Sequence, residues 1–385
     1  LLSDMVQEVS IPVEEQELMI WRLTRTQPIL VVGIMSAKEI VFEILSDGAG
    51  TRTASVREGK IEYGGALYDE LYFDAQTLST MFAEPSFILH NVTIGVNFHW
   101  ERKEDQKFAG ALKIFVENGK LTAVNVVGVE DYLLSVISSE MSSSASEEFL
   151  KAHAVISRSW VMSQIASGRH GGKVVIPDGV HDLQSLMIDL DRRFNNDYAA
   201  VEAGAHRYIK WYDHDDHRKF DVCADDHCQR YQGLTRATGD TVRKVIDATW
   251  GQVLKYDGSL CDARFSKCCG GVMERFSTCW DNVDYPYLQP LADTPDHNGT
   301  EEHFCGTADK MILAQVLNNY DQETTDFYRW TVEYDRDVIS ELVSRRSGID
   351  IGEVSSLVPV ERGPSGRIYL LEIKGSKTSL VVGKE

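Results

Sequence analysis

The hydrophobic period of this chain changes at residue 128, and that change restricts the folds open to it. Upstream, 111–127 reads as a β-hairpin. Leu112, Ile114 and Val116 recur every second residue, and Asn118-Gly119 supplies the positive φ angles of a tight turn. Downstream, Val129, Leu133, Val136 and Ile137 recur at the spacing of one helical face, which predicts a helix over 129–140. Ser144 with Glu147 three residues later is a capping-box signature. A second helix is therefore predicted from about Ser146 to Ala166, stopping at Gly168.

The flanks have their own textures. Ile29–Met35 reads as a buried strand and Glu39–Leu45 as the next, with breaks at Gly48–Gly50 and Gly64-Gly65. Residues 1–20 are acidic, carry little pattern and read as a mobile lead-in. Residues 169–230 are polar, His-rich and loop-like, with a helix predicted near Asp182–Asp191. Another helix is predicted over Gly239–Ala248, then two strands about Asp257-Gly258. Helices follow near 307–318 and 335–346, and a last hairpin turns at Gly363–Gly366. Strands, then helices, then a mixture predict an α+β chain. Its expected parts are a β-rich N-terminal region (21–110), a helical-plus-sheet core with a substrate groove (111–295) and a mixed C-terminal lobe (296–385).

Composition excludes several classes of function. The 385 residues carry 39 Lys and Arg against 59 Asp and Glu, a net charge of −20. Such a surface repels nucleic acid and anionic membrane, and nonspecific nucleic-acid binding depends on neutralising phosphates. Nucleic acid is therefore not an expected partner. The longest apolar run, Ile29–Met35, is far short of the roughly 20 residues of a membrane span, so no transmembrane segment is expected. The start, Leu1-Leu2-Ser3, lacks the basic and apolar regions of a signal peptide and reads as processed or trimmed. The seven cysteines (223, 228, 261, 268, 269, 279 and 305) all lie past the midpoint, so they serve one region rather than stapling the whole chain.

Three stretches, ordered along the chain, carry a resemblance. The first is Glu130 through Met141 followed by Leu150 through Trp160. The second is Cys223 through Gly233. The third is Ala263 through Gly271, with Trp280 and Tyr287-Leu288 beyond. Together they resemble the stage II sporulation protein D family, which also includes amidase enhancers, over roughly 110–295. The resemblance implies a lytic transglycosylase acting on peptidoglycan glycan strands stripped of stem peptides. It also implies an exported protein of the periplasm or cell envelope. By position it implies Glu140 as the catalytic acid/base, Lys151 and Arg158 as basic substrate-binding residues, and Gln229, Tyr231 and Ser266 as groove residues. Lys151 and Arg158 are two helical turns apart, so both are expected on one face.

That chemistry needs one acid. A protonated Glu140 would donate to the glycosidic oxygen. Its carboxylate would then take the proton of the muramic acid C6 hydroxyl, which attacks the anomeric carbon and leaves a 1,6-anhydro sugar. No water enters, so the paired carboxylates of hydrolytic glycosidases are not required. Burial against apolar neighbours would keep the acid protonated, and a cation close to it would oppose that.

His217, Cys223 and Cys228 form a His-x5-Cys-x4-Cys run that suits tetrahedral Zn2+ with three protein ligands. The resemblance adds that some family members carry a Cys/Cys/His metal site here. His214 and His227 are competing ligands, and a Cys223–Cys228 disulfide and a nucleophilic cysteine remain open. The zinc-deaminase pattern is absent. Cys268-Cys269 stands where the family often has small hydroxyl residues before Gly-Gly. Cys261, Cys268, Cys269, Cys279 and Cys305 could form two disulfides whose pairing is not readable from sequence. Trp160, Trp211 and Tyr231 belong to an aromatic cluster of which one or two members are expected to line a sugar groove. Two other classes of function stay open: a non-catalytic enhancer that binds glycan or a cell-wall amidase, and an envelope scaffold.

Overall fold

The change of period falls where strand passes into helix with no loop between. The computed structural model describes residues 7–13, 16–22, 27–74, 84–96, 100–167, 206–210, 217, 219–236, 239–280, 283–297, 299, 302–317 and 327–384. Among these, twelve strands precede the first helix: β1 (Gln7–Val13), β2 (Gln16–Arg22), β3 (Ile29–Ala37), β4 (Glu39–Ile44), β5 (Thr51–Arg57), β6 (Lys60–Tyr63), β7 (Ala66–Tyr68), β8 (Glu70–Phe73), β9 (Phe87–Ile94), β10 (Arg102–Phe108), β11 (Ala111–Glu117) and β12 (Lys120–Gly128). Then come α1 (Val129–Glu140), α2 (Glu147–Ser167), β13 (His206–Lys210), β14 (Val222–Cys223), α3 (Asp240–Ala248), β15 (Gln252–Tyr256) and β16 (Ser259–Leu260). The chain continues through α4 (Phe276–Cys279), α5 (Lys310–Val316), α6 (Arg336–Ser347), β17 (Val354–Arg362), β18 (Ile368–Gly375) and β19 (Ser379–Lys384). The architecture is α+β, as the order of textures predicts.

Contacts divide the chain into two units: 1–192 with 214–265 and 311–323, and 193–213 with 266–310 and 324–385. In the first, one sheet has the order β10-β9-β4-β5-β6-β7, a second β14-β3-β12-β11-β8 and a third β1-β2-β15-β16. Alternation sets the inward faces: along β4, Ile40, Phe42 and Ile44 are buried and their neighbours are not. These residues share one core with Leu112 and Leu121 of the second sheet and Leu133 of α1. Asn118 and Gly119 (φ 49° and 72°) close the β11–β12 hairpin as predicted, and Asp257 and Gly258 (φ 48° and 75°) close β15–β16. In the second unit, β17, β18 and β19 pair antiparallel, and β13 joins β19 in parallel. Ile351, Val354, Ile373 and Leu380 form its core, with Ile339 and Val343 of α6 against them.

Four expectations need comment. The stretch read as a patternless lead-in holds β1 and β2, paired from Gln7–Arg22 to Val13–Gln16. Val9, Ile11 and Val13 do alternate, and the acidic residues around them obscured it. The cap of α2 is Ser146, whose Oγ accepts the Phe149 N–H at 3.3 Å; Ser144 instead bonds Ser142. Neither unit is one continuous stretch: 193–213 groups with 266–310 and 324–385, and 311–323 with the first unit. The helix predicted near Asp182–Asp191 lies outside the described residues, as do His214, Trp211 and Gly168.

Candidate functional site

All twelve residues of α1 are buried, including Glu130, Asp131, Ser135, Ser138, Ser139 and Glu140. Buried polar groups require partners, and the partners of α1 define the site. At its N-terminus Gln27 Oε1 accepts the Glu130 N–H at 2.7 Å. A Cβ on Gly128 would collide with the end of that Gln27 side chain and push it off the hydrogen bond. Glu130 itself receives Arg158 of α2 in a fork, Nε to Oε1 at 2.9 Å and Nη2 to Oε2 at 2.6 Å. The same carboxylate accepts the Gly251 N–H, and Arg158 Nη1 donates to the Gln252 carbonyl. Arg158 is 0% exposed. Its guanidinium thus locks α1, α2 and the start of β15 together and offers nothing to a groove.

The loop 221–232 packs along the rest of α1. It enters beside β3: the Asp221 N–H donates to the Val31 carbonyl, the Val31 N–H to Asp221 Oδ2 at 2.7 Å, and the Ala224 N–H to the Gly33 carbonyl. Burial pushes the Asp221 carboxyl up. Farther on, the Arg230 N–H donates to Glu140 Oε1 at 2.8 Å, and the Gln232 N–H to Ser135 Oγ at 2.9 Å. Tyr132 and Tyr231 stack at 5.0 Å; Tyr132 donates to Gln229 Oε1 and Tyr231 to Asn125 Oδ1. Burial raises both phenols well above their ordinary range, so both remain neutral donors. The Arg230 side chain lies over Trp100 and donates to Asp226. The loop leaves through Gly233, at φ +63°, where a Cβ would stand 2.2 Å from the Lys107 carbonyl oxygen. Gly233→Ala is expected to cost about 1–3 kcal/mol through backbone strain, read as a lower denaturant midpoint. An unchanged midpoint would contradict this account of the loop.

The same loop gathers the metal-ligand candidates. His217 Nε2 lies 3.3 Å from His227 Nδ1, and Cys228 Sγ lies 3.5 Å from each. With Cys223, ligand atoms of all four residues fall within 4.8 Å of one another. His227, which the sequence offers only as a competing ligand, thus joins His217, Cys223 and Cys228. The thiols of Cys223 and Cys228 are unbridged. A hydrogen bond from Cys228 holds the Cys223 thiol far below its ordinary range, and that of Cys228 is pushed up. Two sulfurs and two imidazole nitrogens at this spacing fit the ligand set of a tetrahedral zinc.

The other site expectations fall as follows. Glu140 closes α1 and is 8% exposed. Lys151 stays near the surface and pairs with Glu147 and Glu148 at 3.1 and 2.9 Å. Gln229 and Tyr231 are buried against α1 and β12 and serve the fold. Ser266 is exposed and belongs to the second unit. A cleft of about 450 Å³ adjoins the cluster at Cys223, lined also by Gly33, Ser36, Lys120, Thr122 and Phe220; Glu140 does not line it.

Comparison with known families agrees with this geometry. Residues 117–256, from the end of β11 to the end of β15, match the family described as stage II sporulation protein. That segment, about a third of the chain, carries a stage II sporulation protein domain. The sporulation-protein domain holds α1, α2, the loop 221–232 and α3, so Glu140 and the Cys/His cluster are inside it. The third stretch of the sequence resemblance, with Ser266, lies outside it. The match supports a role connected with the cell wall. Residues 274–385 match a second family, described as a domain of unknown function (DUF8618). No curated protein matches the chain. No helix among the described residues is long and apolar enough to cross a membrane.

Proposed function

We propose that this chain is a lytic transglycosylase acting outside the cytoplasm on peptidoglycan glycan strands, preferably those stripped of stem peptides. Glu140 is its acid and then its base. The observation that carries this reading is how Glu140 is held: buried at the last residue of α1, with Oε1 fixed by the Arg230 N–H of the loop that also bears Cys228. Burial and a place at the negative end of a helix are the conditions under which a carboxyl keeps its proton. Lys151 pairs with Glu147 and Glu148, and Arg158 with Glu130.

In this mechanism the Glu140 carboxyl protonates the glycosidic oxygen as positive charge grows at the anomeric carbon. The leaving sugar departs with that proton. The carboxylate then takes the proton of the C6 hydroxyl, whose oxygen closes on the anomeric carbon. Both transfers use one side chain, so its fixed orientation matters more than a second acid.

His217, Cys223, His227 and Cys228 would hold zinc in this reading. Two thiolates would balance the charge of the ion, so its part would be structural, tying the end of β14 to the turn at Cys228. Cys228→Ser is expected to lose that metal, read by elemental analysis of the purified protein. Glycan cleavage should fall with it as the loop loosens its hold on Glu140. Unchanged metal content would count against the site.

A second reading is a non-catalytic enhancer that binds glycan or a cell-wall amidase. The burial of Arg158, Gln229 and Tyr231 favours its amidase-binding form, which needs no glycan contact from these three residues. Incubating the protein with peptide-free glycan separates the two readings. New chain ends from the parent, and none from Glu140→Gln, support the enzyme. Retention of glycan without any new ends supports the enhancer.

A further inference from the structure

The second unit contains a thiol cluster that the proposed mechanism does not use. Cys269 Sγ and Cys305 Sγ are 3.6 Å apart, and both are free thiols. A carboxylate oxygen of Asp293 lies within 4.8 Å of both sulfurs. We propose that Cys269, Asp293 and Cys305 bind a zinc ion, with the fourth position left to solvent.

Three features carry this. The first is the spacing. Two sulfurs bound at about 2.3 Å to one tetrahedral zinc stand roughly 3.8 Å apart, whereas bonded sulfurs stand about 2.05 Å apart. The second is that the carboxylate is positioned without any metal. The Asp293 N–H donates to the Gly271 carbonyl, its carbonyl accepts the Phe304 N–H, and its Oδ2 accepts the Cys305 N–H at 2.9 Å. The backbone that presents Cys305 and the backbone that follows Cys269 are therefore both fastened to the third ligand. At Gly271, φ is +106°, and a Cβ would meet the His303 ring at 2.9 Å, so glycine is needed for the turn after Cys269. The third is the donor set. Two thiolates and one carboxylate suit zinc and disfavour the hard cations that take oxygen alone. All three residues are partly exposed, so water can reach the fourth position. The ion would clamp the Gly270-Gly271 turn to the segment 303–306.

The test uses the full chain with Cys223→Ser and Cys228→Ser already in place, so that the outcome does not depend on the first cluster. This background is stripped with a chelator and titrated with cobalt(II), then competed with zinc. One equivalent of cobalt with a thiolate-to-cobalt absorption band is expected. Adding Cys305→Ser should abolish the band. Adding Asp293→Asn, which keeps a carbonyl acceptor for the Cys305 N–H, should weaken zinc at least about tenfold, the scale that outer-shell losses alone reach. Two results would overturn the proposal: no cobalt bound by the background protein, or peptide mapping that finds Cys269 joined to Cys305 in the protein as purified.

Discussion

Arg158→Met is expected to destabilise the protein by about 3–5 kcal/mol, because it leaves the Glu130 carboxylate buried at 2% exposure without its cation. The guanidinium makes three hydrogen bonds, two to Glu130 and one to the Gln252 carbonyl, and none of them can be replaced by solvent at a residue that is 0% exposed. Arg158→Lys should recover only part of the loss, since an ammonium keeps the charge but not the planar fork. Removing both charges should not be neutral either. Without Glu130 the Gly251 N–H loses its acceptor, and a buried backbone group left unpaired costs about 1–3 kcal/mol. The readout is the denaturant midpoint of the free protein at constant slope. A substrate-contacting arginine would behave differently: glycan affinity would fall and the midpoint would stay. That second pattern would contradict the structural role assigned to Arg158.

Glu140→Gln is expected to lower glycan cleavage by about a hundredfold to ten-thousandfold, the range of a lost general acid/base. Stability should change little. The amide oxygen of glutamine can still accept the Arg230 N–H that Glu140 Oε1 accepts, and the side chain keeps its shape. The combination matters because Glu140 lies beneath the loop 221–232. A variant that lost activity by loosening the loop would also lose thermal stability and zinc. Unchanged melting, unchanged metal content and absent cleavage together would separate chemistry from architecture. Cleavage within about threefold of the parent would remove Glu140 from the mechanism.

The parts of this fold legible in the sequence are those set by local chemistry. Asn118-Gly119 and Asp257-Gly258 turn where they should, because positive φ is a property of those residues. The period of Val129, Leu133, Val136 and Ile137 marks α1 to the residue. The Glu130–Arg158 pair is not legible, because its partners are 28 residues apart and their burial comes from β15 packing over α2. The same fact explains why spacing misled. Lys151 and Arg158 are two turns apart, but Lys151 sits in the first turns of α2 beside Glu147 and Glu148, and Arg158 sits midway beneath Gln252. A shared face says nothing about whether both of its ends reach solvent. His227 entered the metal cluster through a tight turn, in which the Cys228 N–H bonds the Asp225 carbonyl and brings adjacent residues to one point. The signal in the sequence is the adjacent His227-Cys228 pair following the turn-forming Asp225-Asp226.

The most direct test of the account is the fate of water during cleavage. Peptide-free glycan is digested by the full chain in water enriched in oxygen-18, and the fragments are weighed. Internal attack by the C6 hydroxyl predicts muramic ends lighter by one water and free of the heavy isotope, with none formed by Glu140→Gln. Reducing ends that carry oxygen-18 would mean hydrolysis, and would contradict the single-carboxyl mechanism built on Glu140.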